Sequence, residues 1–115
     1  RTWYYLDPIS GEMASGWTKV RDTWYYLGSS GAMRTGWMRD GSTWYYLADS
    51  GAMATGWARI GSSWYHFAPS GAMSTGWVKD GDSWFYLSSS GAMVTGVRWI
   101  DGTRYVFDDE GRLQE

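Results

Sequence analysis

One group of side chains recurs along this sequence with the ingredients of a binding site. In the stretch Gly36 to Met53 it consists of Trp37, Trp44, Tyr45 and Met53. Three electron-rich rings and a thioether cannot shuttle protons or attack a carbonyl. They can receive a cation. A quaternary ammonium is positively charged, apolar on its surface and has no N–H to satisfy, so aromatic faces attract it by roughly 0.5–2 kcal/mol per contact. Two or three rings place one such site near the millimolar range, about −4 kcal/mol. Several sites on one chain would compensate through multivalency with a polymeric ligand.

The group is periodic. The first Trp of Trp-Tyr-Tyr falls at Trp3, Trp24, Trp44, Trp64 and Trp84, and Gly-Trp falls at Trp17, Trp37, Trp57 and Trp77. Met follows at Met13, Met33, Met53, Met73 and Met93. The period is 20 residues, lengthened once by the extra residue in Asp7-Pro8-Ile9-Ser10. Three markers in step establish a repeat array.

Each unit reads as strand, tight turn, strand, loop. Asp40-Gly41, Ile60-Gly61, Asp80-Gly81 and Asp101-Gly102 supply hairpin-turn signals. The first unit has Arg21-Asp22 there, which predicts a different turn type. Small polar residues and a glycine close each unit, as in Asp49-Ser50-Gly51, and predict loops with a positive φ. No window carries a helical period. A lone hairpin is marginal in water, so neighbouring hairpins must bury one another's rings. The expected fold is all-β, a repeat β-solenoid of stacked hairpins of about 20 residues each. The chain is expected to form one domain over 1–115, with a truncated first repeat (1–15), four regular repeats (16–95) and a divergent capping repeat (96–115). In the last, Val97 stands at a Trp position, Arg104 replaces the first Trp of the triplet and Trp99 is displaced by two positions. This end reads as a cap or a surface for self-association.

Alternation along a strand sends Trp44 and Tyr45 to opposite faces. A gap between consecutive hairpins would then collect two Trp from one hairpin and a Tyr from the next, with Trp37 beside Trp44 across the turn. The same rings could instead be core, and Tyr26, Tyr46, Tyr86, Leu27, Leu47, Phe67 and Leu87 are assigned to packing between units. A choice of Trp where Leu would pack equally well favours a site. Sugars also stack on rings, but their hydroxyls call for Asp, Asn or Gln. The chain has no Asn and one Gln, and no Asp is expected at a fixed position beside the rings.

Here the residues resemble a known family. Gly-Trp-x-Lys/Arg, Trp-Tyr-Tyr-Leu/Phe and Gly-x-Met-x-Thr-Gly-Trp are similar to the choline-binding repeats of Gram-positive surface proteins and phage lysins, over essentially the whole chain. The resemblance implies a left-handed solenoid holding choline or phosphocholine of teichoic and lipoteichoic acids between consecutive hairpins, at an extracellular cell-wall surface. Carried over residue by residue, it implies four sets. Trp17, Trp24 and Tyr45 with Met33 form the first, and Trp37, Trp44 and Tyr65 with Met53 the second. Trp57, Trp64 and Phe85 with Met73 form the third, and Trp77, Trp84 and Tyr105 with Met93 the fourth. Trp3, Tyr25 and Met13 would be half a site.

Composition limits the alternatives. A net charge of −2 with scattered Lys and Arg offers no basic stripe for nucleic acid. No apolar run is long enough to span a membrane, and no signal peptide is evident. The absence of cysteine removes disulfides and thiolate metal sites. His66 is the only histidine, with no recurring carboxylate beside it, so neither catalysis, a metal nor a cofactor is expected. Beginning inside a repeat, at Arg1-Thr2-Trp3, the chain reads as an excised fragment whose catalytic module, if any, lies elsewhere. A glucan- or wall-sugar-binding repeat and a structural or dimerising spacer are the competing readings.

Overall fold

The computed structural model describes residues 15–114; all but the last residue of the truncated first repeat, with Trp3 and Met13 of the half-site, lies outside them. The described residues are all β. Five antiparallel hairpins follow one another: β1 (Gly16–Val20) with β2 (Thr23–Leu27), β3 (Gly36–Asp40) with β4 (Thr43–Leu47), β5 (Gly56–Ile60) with β6 (Ser63–Phe67), β7 (Gly76–Asp80) with β8 (Ser83–Leu87), and β9 (Gly96–Ile100) with β10 (Thr103–Phe107). A short β11 (Leu113–Gln114) adds a third strand beside β10. The chain falls into two compact units, Arg1–Ala54 and Thr55–Glu115.

Turn chemistry follows the glycines. In the three central hairpins only the first loop residue, Gly41, Gly61 or Gly81, has a positive φ, near 65°. That is the pattern of a type II′ turn, whose first position favours glycine. In the first and last hairpins both loop residues are positive, Arg21 and Asp22 (51° and 68°) and Asp101 and Gly102 (50° and 85°), the type I′ pattern. The expected difference at Arg21-Asp22 is therefore present. One expectation needs correcting: Asp40, Ile60 and Asp80 are not turn residues but the last residues of their strands, paired with Thr43, Ser63 and Ser83.

The register assigns faces. Trp37 is opposite Tyr46 and Arg39 opposite Trp44, so these four share one face; Met38, Tyr45, Asp40 and Leu47 lie on the other. Trp37 and Trp44 are thus diagonal neighbours rather than a directly facing pair. The facing partner of each triplet Trp is a cation: Lys19 for Trp24, Arg39 for Trp44, Arg59 for Trp64 and Lys79 for Trp84. In the fifth hairpin the pair survives with its strands exchanged, Trp99 on β9 facing Arg104 on β10. The two departures seen in the sequence are one inverted pair.

The core is built from leucine, phenylalanine and other apolar side chains rather than from the tryptophans. Leu27, Leu47, Phe67 and Leu87, the last residues of the second strands, are 0–3% exposed, as their assignment to packing requires. Met38, Val94, Ile100 and Phe107 are also buried. Val94, Ile100 and Phe107 form a cluster packed by Tyr86, Tyr105 and Leu113.

Loops join consecutive hairpins within each unit. After β4, Ala54 N–H donates to the Tyr46 carbonyl, while Met53 N–H reaches back to the Trp24 carbonyl of the preceding hairpin at 2.9 Å. Met93 makes the same bond to Trp64 at 2.8 Å. The methionine side chain runs the other way, so that Met33 lies over Gly51, Met73 over Gly91 and Met93 over Gly111. A Cβ at any of these glycines would collide with the methionine sulfur, and their φ of 85–92° already disfavours a side chain. In the last loop Asp108 accepts from the backbone N–H of Arg112 and of Glu110 and from the Arg112 side chain. Arg112 also pairs with Glu110.

Gly51→Ala is expected to cost about 1–3 kcal/mol of unfolding free energy by chemical denaturation. Adding Met33→Ala should remove the steric part, leaving a cycle that is not additive. The Arg112 backbone N–H, foremost among its donors, holds the Asp108 carboxyl below its usual 3.8. A depressed folded-state pKa contributes stability above the unfolded value and loses it as pH falls through the folded one. Acidification below about pH 4 should therefore narrow the difference in melting temperature between the unaltered chain and Asp108→Asn.

Candidate functional site

The first unit carries one complete set of predicted site residues. Trp17 stands on β1, anchored by an edge-on contact with its cross-strand partner Tyr26 at 5.2 Å. Tyr45, from the next hairpin, meets Trp17 edge-on at 4.8 Å and 63°. Two rings from successive hairpins thus form a corner. Trp24 shares the Trp17 face, where 40% of it remains exposed.

In the second unit the corner recurs twice. Trp57 meets Phe85 at 4.9 Å and 60°, so the phenyl ring stands in for the tyrosine without altering the arrangement. Trp77 meets Tyr105 at 5.0 Å and 72°, and Phe107 packs against the same indole at 5.9 Å. The divergent fifth hairpin therefore still presents its tyrosine to Trp77. Trp77 and Trp84 approach to 6.2 Å, nearly perpendicular. The remaining set is divided between the units: Trp37, Trp44 and Met53 belong to the first, Tyr65 to the second. Within the first unit Trp37 and Trp44 lie 6.4 Å apart at 80°.

Six tryptophans of these sets, Trp24, Trp37, Trp44, Trp64, Trp77 and Trp84, keep 36–43% of their surface exposed. The methionines are half-buried, and the neighbours the structure gives to Met33, Met73 and Met93 are the glycines of the following loop.

Two carboxylates stand beside the rings, where none is expected from the sequence. The Trp17 indole N–H donates to Asp40 Oδ2 at 3.1 Å, and Trp57 donates to Asp80 Oδ2 at 2.8 Å. A carboxylate does stand at a fixed position beside the aromatic group, contrary to expectation. Asp-Gly is a turn signal, which masks the strand-end position of Asp40 and Asp80. The available clue was a double period: the strand-end position reads Val20, Asp40, Ile60, Asp80, Ile100.

His66 takes the place of Tyr26, Tyr46 and Tyr86. Its ring packs edge-on against Trp57 at 4.9 Å, and its Nδ1 is 2.9 Å from Ser74 Oγ. The imidazole thus fills the tyrosine's packing position. Among the described residues no cluster of His, Cys, Asp or Glu could hold a metal ion. Nor is any helix among them long and apolar enough to cross a membrane.

Comparison with known proteins agrees with this geometry. A family model for the choline-binding repeat matches residues 14–55 and 54–96. The structure of CbpJ from Streptococcus pneumoniae superposes with a TM-score of 0.95 at 50% identity, covering 98% of this chain and 39% of that one. Choline binding protein F from Streptococcus pneumoniae, in the presence of a peptidoglycan analogue, gives 0.94 at 47% identity, covering 98% and 38%. The pneumococcal cell wall endolysin from phage Cp-1, complexed with choline, gives 0.65 at 36% identity, covering 100% and 38%. This chain thus spans about two-fifths of the length of each solved protein. No curated protein sequence matches it.

Proposed function

Because the chain belongs to the choline-binding repeat family, we propose that it is a non-catalytic module that binds choline of teichoic and lipoteichoic acids and so holds a protein at the bacterial cell wall. The observation that carries this reading is the division of labour between side chains. Leucine and phenylalanine at the strand ends are sealed, whereas the triplet tryptophans Trp24, Trp64 and Trp84, with Trp77, keep more than a third of their surface exposed. Rings serving only as core would be the most buried side chains of the hairpin, as large apolar groups ordinarily are. Three sets lie within a unit: Trp17, Trp24 and Tyr45; Trp57, Trp64 and Phe85; Trp77, Trp84 and Tyr105. In each, two rings of one hairpin and one of the next would surround a trimethylammonium group and contribute cation–π attraction. The solved endolysin complexed with choline supports the ligand, and the choline binding protein F structure with a peptidoglycan analogue supports the cell-wall setting.

A second reading has one observation in its favour. Asp40 and Asp80, beside rings, are the kind of acceptor a sugar hydroxyl uses. Self-association through the last repeat is a further proposal, supported by Val97 and Trp99, 51% and 69% exposed on β9.

Titrating intrinsic Trp fluorescence with choline should give a saturable change in the millimolar range, with none from glucose or dextran. A response to glucan and none to choline would select the second reading. Trp57→Ala should reduce the choline response while leaving the far-ultraviolet spectrum of the fold in place. Unfolding by this single change would mean that the ring is core.

A further inference from the structure

The sets within the units are not electrostatically equal. In the first and third hairpins the indole that forms the corner donates its N–H to a carboxylate of the next hairpin, Asp40 for Trp17 and Asp80 for Trp57. The fourth set has no counterpart. The position equivalent to Asp40 and Asp80 is Ile100, which turns into the apolar cluster with Val94 and Phe107. Its tyrosine, Tyr105, has Arg98 as its cross-strand partner, where the corresponding partners of Tyr45 and Phe85 are Met38 and Val78. Each of these sets has a cation opposite its triplet tryptophan, Lys19, Arg59 or Lys79; two sets also hold a carboxylate against their corner indole, whereas the fourth has a second cation, Arg98, opposite its tyrosine.

On this basis we propose that Asp40 and Asp80 are specificity-determining residues, which make the first and third sets selective for a cationic guest over a neutral one of the same shape. This rests on the choline reading above. Two effects act together. A carboxylate accepting from the indole N–H orients the ring and withdraws its proton's charge, leaving the π face more negative. The carboxylate also supplies a full negative charge next to a guest held against that face, and water screens it only partly at such short range. Aromatic faces already favour a quaternary ammonium over a tert-butyl group, which buries the same apolar surface but lacks the cation–π attraction. The charge of Asp40 and Asp80 widens that distinction in the first and third sets. The fourth set, with Ile100 and Arg98, is the weaker one for cations.

The experiment compares choline with its neutral isostere, in which carbon replaces the ammonium nitrogen, by calorimetric titration of the intact chain. Asn keeps an oxygen to accept the indole N–H and removes only the charge. In Asp40→Asn/Asp80→Asn, choline affinity at the stronger sites should fall roughly three- to tenfold, with affinity for the isostere unchanged. Independently of any variant, added salt should weaken choline binding to the unaltered chain and leave isostere binding unaffected. Unchanged choline affinity in the double variant, or an equal fall for both ligands, overturns the inference while leaving choline binding intact. Failure of the unaltered chain to bind choline overturns the inference together with the reading beneath it.

Discussion

A sheet of two five-residue strands has two faces and no interior, and this geometric constraint governs the molecule. Each hairpin must find its cover outside itself, and within each unit the cover is the next hairpin. One face carries Trp, Lys or Arg, Trp and Tyr; the other carries a small or apolar residue, Tyr and Leu. When the tryptophan face of one hairpin meets the tyrosine face of the following one, leucine or phenylalanine at the strand end is sealed completely. The larger rings meet at their edges and are not. Burial and exposure in the same contact follow from that mismatch in size.

Backbone bonds reinforce the arrangement. A methionine amide bonds to a carbonyl one hairpin back, and the methionine side chain lies over a glycine one loop forward. The loop is thus tied in both directions, by a donor that every residue has and by a glycine that only lacks a side chain. This explains why glycine and methionine keep step with the tryptophans.

Much of this was legible from the letters. Hairpin positions, the sealed Leu27, Leu47, Phe67 and Leu87, and the meeting of Trp17 with Tyr45 followed from a period of 20 and strand alternation. What was lost turned on single residues. Asp40 and Asp80 were hidden because the residue before a turn glycine looks like part of the turn, yet a type II′ turn begins at the glycine itself. Trp37 and Trp44 were expected side by side because their separation suits a hairpin; the register makes them diagonal. Met38 and Ile100 joined the core unannounced, since their positions hold threonine or aspartate in other copies. Such positions take their character from the neighbouring hairpin, and a period of 20 averages over that difference.

The inverted pair in the fifth hairpin has a wider meaning. Compared column by column, Trp99 and Arg104 are two unrelated losses, but on the sheet they face one another as Lys79 and Trp84 do. In that earlier hairpin the lysine Nζ stands 5.9 Å from the ring centroid. Exchange across the ladder keeps an indole opposite a cation while removing the indole from the column shared by Trp24, Trp44, Trp64 and Trp84. A repeat can in this way leave the tryptophan column without surrendering the residue pair that faces across its own two strands. Loss of a side chain from a repeating column and loss of a hairpin are separable, and the fifth copy shows the first without the second.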